Sequence, residues 1–220
     1  MKIKSKHEDN ALAELFNKDE IVDVKPIGNL YTIYLVGEIG SPEDYISSYE
    51  AIRNAGENDI VKIHINSHGG DLFATIQFIR AITESSAKIV ASAEGCCMSA
   101  ATMIFLSADI YEISEHCLFM FHNYSGGTFG KGGEMYDQLV NERKWSQRIV
   151  EKVYGGFLTD GEMKSILENK DIWMEGEEVM RRLQVIIDGL LEKQIKSAKP
   201  IRPPKIAKPP PVKVPRKKRV

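Results

Sequence analysis

The sequence predicts an α/β fold built on a parallel sheet, because β-forming segments alternate with segments of helical spacing along most of the chain. Three apolar segments rich in β-branched or aromatic residues, 31–36, 59–65 and 88–92, are each followed by a predicted helix. Repeated units of this kind imply right-handed crossovers with helices packed outside the sheet. The chain of 220 residues, 43% of them hydrophobic, is long enough for one sizeable core.

The elements of the first half follow in order from these patterns. Ser41 and Pro42 have the residue types of a helix start, so a helix is predicted over 41–54. The Asn-Ser-His-Gly-Gly segment at 66–70 ends the second strand, and apolar residues spaced three or four apart predict a helix over 71–83. The third strand leads into an apolar segment, 98–106, which predicts a buried helix, and residues 110–113 form a fourth strand.

The second half begins with a strand over 117–122, which ends in His122 and precedes a glycine-rich loop at 125–133. Amphipathic spacing predicts a long helix over 134–154, whose apolar stripe fits either the core or a partner subunit. The remaining predictions are a short helix capped by Thr159, an extended segment at 169–174, a helix at 175–183 and a last strand at 185–187.

Composition divides the chain into a flexible N-terminal segment (1–20), a folded domain (21–192) and a basic proline-rich disordered tail (193–220). Of the 29 basic residues, 11 lie in the tail, which contains no acidic residue; 18 basic and 31 acidic residues remain in the rest of the chain. The last residues of the tail resemble a nuclear-localisation or nucleic-acid-binding patch, but the favoured interpretation is a solvated tail that aids solubility or docks on an acidic surface. No nucleic-acid contact is expected outside this tail.

Several classes of protein are excluded. No apolar run reaches the roughly 18 residues needed to span a bilayer, and the charged N-terminus lacks the apolar core of a signal peptide. We therefore expect a cytoplasmic protein. The three cysteines, Cys96, Cys97 and Cys117, have no metal-ligand spacing and are interpreted as reduced core thiols, with Cys96 or Cys97 as a nucleophile the less favoured alternative.

Ser99 stands at the predicted junction between the third strand and the buried helix. Free backbone N–H groups and the positive end of a helix dipole meet at such a junction, so the site could stabilise an oxyanion beside a serine nucleophile. The alternative is a simple helix N-cap. Among the five histidines, His122 is the best candidate for a general base, because it ends a strand where parallel sheets present functional residues.

Four segments together resemble the ordered signature segments of the Clp protease proteolytic subunit (ClpP) family. These are Asn66-Ser-His-Gly-Gly70, Gly95-Cys-Cys-Met-Ser-Ala100, Met120-Phe-His-Asn123 and Asn169-Lys-Asp-Ile-Trp173. The resemblance covers roughly residues 30–190. It implies that Ser99 is the nucleophile, His122 the general base and Asp171 the residue that orients the imidazole, while Gly70 and Ala100 donate the N–H groups of the oxyanion hole.

The resemblance also implies the fold and the partners. The fold would be a ClpP/crotonase-type spiral of ββα units with the long helix protruding and meshing subunits into a homo-oligomer of heptameric rings. The activity would be that of a serine endopeptidase that cleaves unfolded proteins or peptides inside an oligomeric chamber, with no metal or organic cofactor. ATP would be used by a separate AAA+ unfoldase, consistent with the lack of a phosphate-binding Gly-x-x-x-x-Gly-Lys-Ser/Thr motif in this chain.

The sequence departs from the family pattern in places, and alternatives stay open. Asn169 and Lys170 replace an acid–arginine pair that joins two rings in the family, which puts stacking of two rings in doubt. His68 replaces a proline and Ala101 a glycine, and neither change removes a member of the triad. The alternatives are a ClpP-like viral head-maturation protease without an unfoldase, a crotonase-fold acyl-CoA or binding protein, and a catalytically silent assembly subunit.

Overall fold

A six-stranded, mostly parallel sheet organises the part of the chain that the computed structural model describes, residues 27–197. Its strands are β1 (Leu30–Ile39), β2 (Ile60–Gly70), β3 (Lys88–Met98), β4 (Ile110–Ile113), β5 (Leu118–Phe121) and β6 (Ile172–Glu175). The strand order is β1-β2-β3-β5-β6, and β4 pairs with β3 as well. All pairings are parallel except that between β5 and β6. The predicted α/β class with parallel strands is therefore confirmed.

The helices connect these strands in the predicted alternation. They are α1 (Ile46–Asn54), α2 (Leu72–Glu84), α3 (Ala100–Leu106), α4 (Gly132–Tyr154), α5 (Asp160–Leu167) and α6 (Gly176–Ser197). The first helix begins later than predicted, because Pro42–Tyr45 forms a 3₁₀ turn and the Ser41 side chain makes no capping hydrogen bond. At α5 the predicted cap is present, with Thr159 accepting from the N–H of Glu162 and the Glu162 side chain bonding back to Thr159.

Much of the core lies between one face of the sheet and helices α1 to α3, and residues of the later helices, such as Tyr154, Ile166 and Val179, belong to the same core. Alternate residues of β1 and β2, such as Ile33, Leu35 and Ile63, are buried, while Tyr34 on the other face is exposed. Helix α3 is buried along almost its whole length, as its apolar sequence predicts. Because α3 has no solvent-facing side, its position relative to the sheet is tightly determined by packing.

Strand β3 has two different neighbours on one edge, and this arrangement positions the site. Its first half pairs with β4, from Val90↔Ile110 to Ala93↔Ile113, and its last three residues pair with β5, ending at Met98↔Met120. The residue that follows β3 is Ser99, and the residue that follows β5 is His122. Pairing of these two strand ends therefore brings the two residues to the same edge of the sheet.

The predicted last strand at 185–187 is wrong, because helix α6 runs through it from Gly176 to Ser197. Val179 and Leu183 are buried and Ile186 packs against the core, so the buried positions follow a helical period. Val185 is exposed. The β-branched run at 185–187 thus contributes mainly Ile186 to the core. Helical spacing of the buried residues determines the secondary structure here, although the local sequence favours a strand.

The predictions for residues 1–20, the start of the domain at residue 21 and the tail beyond residue 197 concern residues outside the described range of 27–197. The first five residues of the predicted tail, 193–197, belong to helix α6. The proposed domain boundaries stay predictions. Within the described range, none of the helices combines the length and the apolar character required to cross a bilayer.

Substitution of a glycine by alanine tests whether residues 185–197 form a helix. Gly189 lies in this helix, and Gly37 in β1 serves as the comparison. A Cβ added at either glycine would meet no atom within 4 Å. Gly37 has a φ of +81°, whereas Gly189 has no positive φ. Gly189→Ala should therefore raise the free energy of unfolding by about 0.5–1 kcal/mol, and Gly37→Ala should lower it by about 1–2 kcal/mol. Urea unfolding at fixed protein concentration measures both; no gain for Gly189→Ala would contradict a helix at this position.

Candidate active site

Ser99 occupies a sharp turn between β3 and α3 with an unusual backbone conformation. Its φ is 53° and its ψ is −128°, a combination that side-chain-bearing residues rarely adopt. The Ser99 side chain makes no capping hydrogen bond to α3, so the simple N-cap interpretation does not describe its hydroxyl. Instead, Ser99 Oγ lies 2.6 Å from His122 Nε2, within hydrogen-bonding distance.

Hydrogen bonds on both sides of Ser99 hold this conformation. Its N–H donates to the carbonyl of Met120 in β5 (2.8 Å). Its carbonyl accepts from the N–H of Thr102 (3.0 Å) and from the Thr102 hydroxyl (2.6 Å). The strained residue is therefore tied to the neighbouring strand and to the first turn of α3, which offsets the cost of its dihedral angles.

The Tyr154 hydroxyl extends this network from the end of α4. It lies 2.7 Å from Thr102 Oγ and 3.4 Å from the Ser99 carbonyl oxygen. Tyr154 is fully buried, and burial raises the pKa of its hydroxyl well above the ordinary value, so it stays a neutral donor. Because Thr102 gives its single proton to Ser99, the Tyr154 hydroxyl donates to Thr102.

The glycine pair at the end of β2 allows a close approach of β2 to Ser99. At Gly69, with a φ of +96°, an added Cβ would lie 2.6 Å from Ser99 Cβ and 3.0 Å from the N atom of Ala100. At Gly70 it would lie 2.2 Å from the Ile39 carbonyl oxygen. Neither position has room for a side chain, so only glycine allows β2 to pass this close to Ser99 and Ile39. Gly70 and Ala100 both line the same cleft as Ser99.

His122 and Asp171 approach each other because β5 and β6 are antiparallel. The last residue pair of that ladder is Phe121↔Ile172, so the next residues outward, His122 and Asp171, face each other. His122 Nδ1 lies 3.9 Å from Asp171 Oδ1, an ion-pair distance that is too long for a hydrogen bond. The side chain of His122 is 20% exposed and that of Asp171 is 49% exposed.

Burial controls the protonation of His122. It lowers the pKa of the imidazole below the ordinary histidine value, and the negative charge of Asp171 opposes this shift without cancelling it. The imidazole is therefore neutral at neutral pH and can accept a proton from the Ser99 hydroxyl.

A second pair of residues links the two segments that carry His122 and Asp171. Asn123 Nδ2 donates to Asn169 Oδ1 at 3.3 Å. Asn169 has a φ of +64°, a left-handed conformation that asparagine tolerates better than most residues. From the sequence, Asn169 is interpreted only as a departure from a family pattern. Its contact with Asn123 could not be predicted, because it depends on the pairing of β5 with β6, which local sequence does not reveal.

Ser99 and His122 line a cleft of about 490 Å³. One side is formed by the start of α2, including Phe73, and another by Gly126 and Gly127 of the glycine-rich loop. Helix α4 contributes Trp145, so part of the stripe predicted for core or subunit contact faces this cleft. The role of Phe73 and Trp145 as cleft residues was missed, because their spacing is that of ordinary amphipathic helices.

The three cysteines are free thiols, as predicted. Burial raises the pKa of Cys117 to about 11 and also raises the pKa of Cys97 and of Cys96. A thiol that stays protonated is a poor nucleophile, and none of the three lines the cleft, which argues against a cysteine nucleophile. Within residues 27–197, no three His, Cys, Asp or Glu side chains come together as possible metal ligands.

Comparison with protein families finds a match to a family model described as Clp protease, over residues 33–194. The matched region contains all the site residues considered above, from Gly69 to Asp171. A comparison with curated proteins finds no match.

The hydroxyl network beneath Ser99 can be tested by a double-mutant cycle. Thr102→Val and Tyr154→Phe each remove one hydroxyl group, and Tyr154→Phe alone should lower the free energy of unfolding by about 0.5–1.5 kcal/mol. Because the two hydroxyls bond to each other, the double variant should be less destabilised than the sum, by at least about 0.5 kcal/mol. Tyr49→Phe is the control, since the buried Tyr49 hydroxyl donates to the Ala74 carbonyl (3.3 Å) and shares no partner with Thr102. Additive effects of Thr102→Val and Tyr154→Phe would contradict the network.

Proposed function

The chain belongs to the Clp protease family, and on this basis we propose that it is a serine endopeptidase whose catalytic residues are Ser99, His122 and Asp171. One observation carries the proposal: the Ser99 hydroxyl, held on a strained turn that lines a cleft, lies 2.6 Å from the Nε2 atom of a partly buried histidine. Nucleophile and base within hydrogen-bonding distance are the signature of an activated serine.

The reaction proceeds through an acyl-enzyme. His122 Nε2 accepts the proton of Ser99 as Oγ attacks the carbonyl carbon of the scissile peptide bond, and the same proton then passes to the leaving amine. Water, deprotonated by His122, then attacks the carbonyl carbon of the ester. The bond between that carbon and Ser99 Oγ breaks, His122 returns the proton to Oγ, and the carboxylic acid product leaves. Asp171 stabilises the imidazolium that forms in each half-reaction and favours the tautomer with the proton on Nδ1.

The oxyanion would be stabilised by the backbone N–H groups of Gly70 and Ala100. Both residues line the same cleft as Ser99, one at the end of β2 and the other as the first residue of α3. Since Gly69 has no side chain, no Cβ crowds the N atom of Ala100. Donors held by the backbone need no reorganisation during the reaction, which is the main source of their catalytic effect.

Assembly and partners follow from the same proposal. Helix α4 exposes Tyr136 and Leu139, and these apolar side chains support a contact between subunits of a ring. Heptameric rings would enclose the clefts in a chamber, and a separate AAA+ unfoldase in the cytoplasm would deliver unfolded polypeptides to it. An acyl-CoA-binding function is less well supported, because it assigns no role to the contact between Ser99 and His122.

Labelling with a fluorophosphonate probe tests the nucleophile. The wild-type protein should react at one residue, Ser99→Ala should not react, and His122→Ala should react at least about 100-fold more slowly, because the general base is lost. Ser107→Ala is a matched control: Ser107 directly follows α3, its hydroxyl donates to the Met103 carbonyl (2.8 Å), and it does not line the cleft. An assembled wild-type protein that does not react would overturn the proposal.

The pH dependence of labelling tests the role of Asp171. The reaction needs the neutral imidazole, so its rate should rise with pH through the pKa of His122, with a midpoint below the ordinary histidine value. Asp171→Asn removes the charge that raises this pKa, so the midpoint should move to lower pH while the plateau rate falls. A midpoint that stays fixed or moves to higher pH in Asp171→Asn would argue against electrostatic coupling between the two residues.

A further inference from the structure

The cleft beside Ser99 contains a stacked pair of aromatic side chains, and one of them, Phe73, is largely exposed to solvent instead of being buried in the core. Phe73 and Trp145 stack with centroids 5.3 Å apart and an angle of 29° between the rings. Phe73 is 65% exposed, although the next two residues of α2, Ala74 and Thr75, are fully buried. Because Phe73 lies on the side of α2 that faces away from the core, the stack gives the cleft an accessible aromatic wall.

The charges of the cleft have one sign. Its lining contains the carboxylates of Asp71 and Glu142, and none of the described residues that line it is a lysine or an arginine. The Asp71 carboxylate caps α2 by accepting from the N–H of Ala74 (2.7 Å). Among residues 27–197, Glu142 accepts a hydrogen bond from the Gln138 side chain (2.7 Å), and a carboxylate has room for several more.

Glu142 and Trp145 are neighbours on one face of α4. They are three residues apart in a helix, a spacing that places side chains side by side, and both line the cleft. An aromatic face and a carboxylate therefore lie next to each other within the cleft that contains the proposed nucleophile.

We propose that Phe73, Trp145 and Glu142 form a subsite for a lysine or arginine side chain of the peptide substrate. The aliphatic stem of such a side chain would lie on the rings, and its cationic group would be attracted by the ring face and by the Glu142 carboxylate. An uncharged apolar side chain could pack on the rings, but it would remove the Glu142 carboxylate from water without offering it a hydrogen bond or an opposite charge. The subsite rests on the proposed peptidase function and extends it to the substrate.

Matched peptides measure the charge preference directly. In two series of fluorogenic peptides, lysine or its uncharged analogue norleucine is placed in turn at each position on both sides of the scissile bond. At one position, the wild-type enzyme should cleave the lysine peptide with a kcat/KM about tenfold higher than the norleucine peptide, from the cation–π contact and the charge pair together. The preference should weaken at high salt, since the cleft is open to solvent.

Variants assign the effect to the two parts of the subsite. Glu142→Gln should reduce the lysine preference to about two- or threefold, because only the ring contact remains, whereas Asp137→Asn, the control, should leave it unchanged. Asp137 lies on the same helix, is exposed and does not line the cleft. Trp145→Ala should slow cleavage of both peptides at this position, and Trp145→Phe should restore most of the loss.

The outcomes separate this inference from the proposed function. If each variant still reacts with the fluorophosphonate probe but lysine and norleucine peptides are cleaved equally at every position, the subsite is wrong and the peptidase proposal stands. An equal loss of preference in Glu142→Gln and Asp137→Asn would also overturn the subsite, because it would show an effect of net charge only. If the wild-type protein neither reacts nor cleaves, both proposals fail.

Discussion

The strained backbone of Ser99 is the constraint on which the site depends. A serine with a positive φ at the end of a strand turns the chain abruptly into α3 and directs its hydroxyl away from the helix, toward His122. Three elements hold this turn: β5 accepts the Ser99 N–H, the first turn of α3 donates to its carbonyl, and β2 approaches through two glycines. The geometry of the proposed nucleophile is thus a property of the packed sheet rather than of the local sequence.

The proposed general base, His122, and the neighbouring Asp171 depend on a different feature, the antiparallel pairing of β5 with β6. In a sheet of parallel strands, a residue after β5 and a residue before β6 would lie at opposite ends. Antiparallel pairing of β5 and β6 places His122 and Asp171 on the same side, and the Asn123–Asn169 hydrogen bond links the segments beyond them. The long distance of 3.9 Å and the exposure of Asp171 make its influence on the imidazole mainly electrostatic.

Helix α4 takes part in the site at two levels. Its middle lines the cleft with Trp145 and Glu142, and its last residue, Tyr154, supports the turn at Ser99 through Thr102. The same helix exposes Tyr136 and Leu139 near its start. Helix α4 therefore connects the cleft, the proposed nucleophile and the exposed apolar surface. A displacement of this helix would change the geometry at all three places.

The sequence by itself determined the features that depend on local periodicity and local chemistry. The alternation of strands and helices, the buried helix after Ser99 and the family of the chain follow from residue spacing and from short ordered segments. Tertiary structure alone decided the Ser99 dihedral angles, the approach of Asn123 to Asn169 and the stacking of Phe73 on Trp145. It also turned the β-branched run at 185–187 into helix, because packing of Val179, Leu183 and Ile186 outweighed local propensity. Each of these depends on contacts between residues far apart in the chain, and such contacts are selected by packing of the whole core.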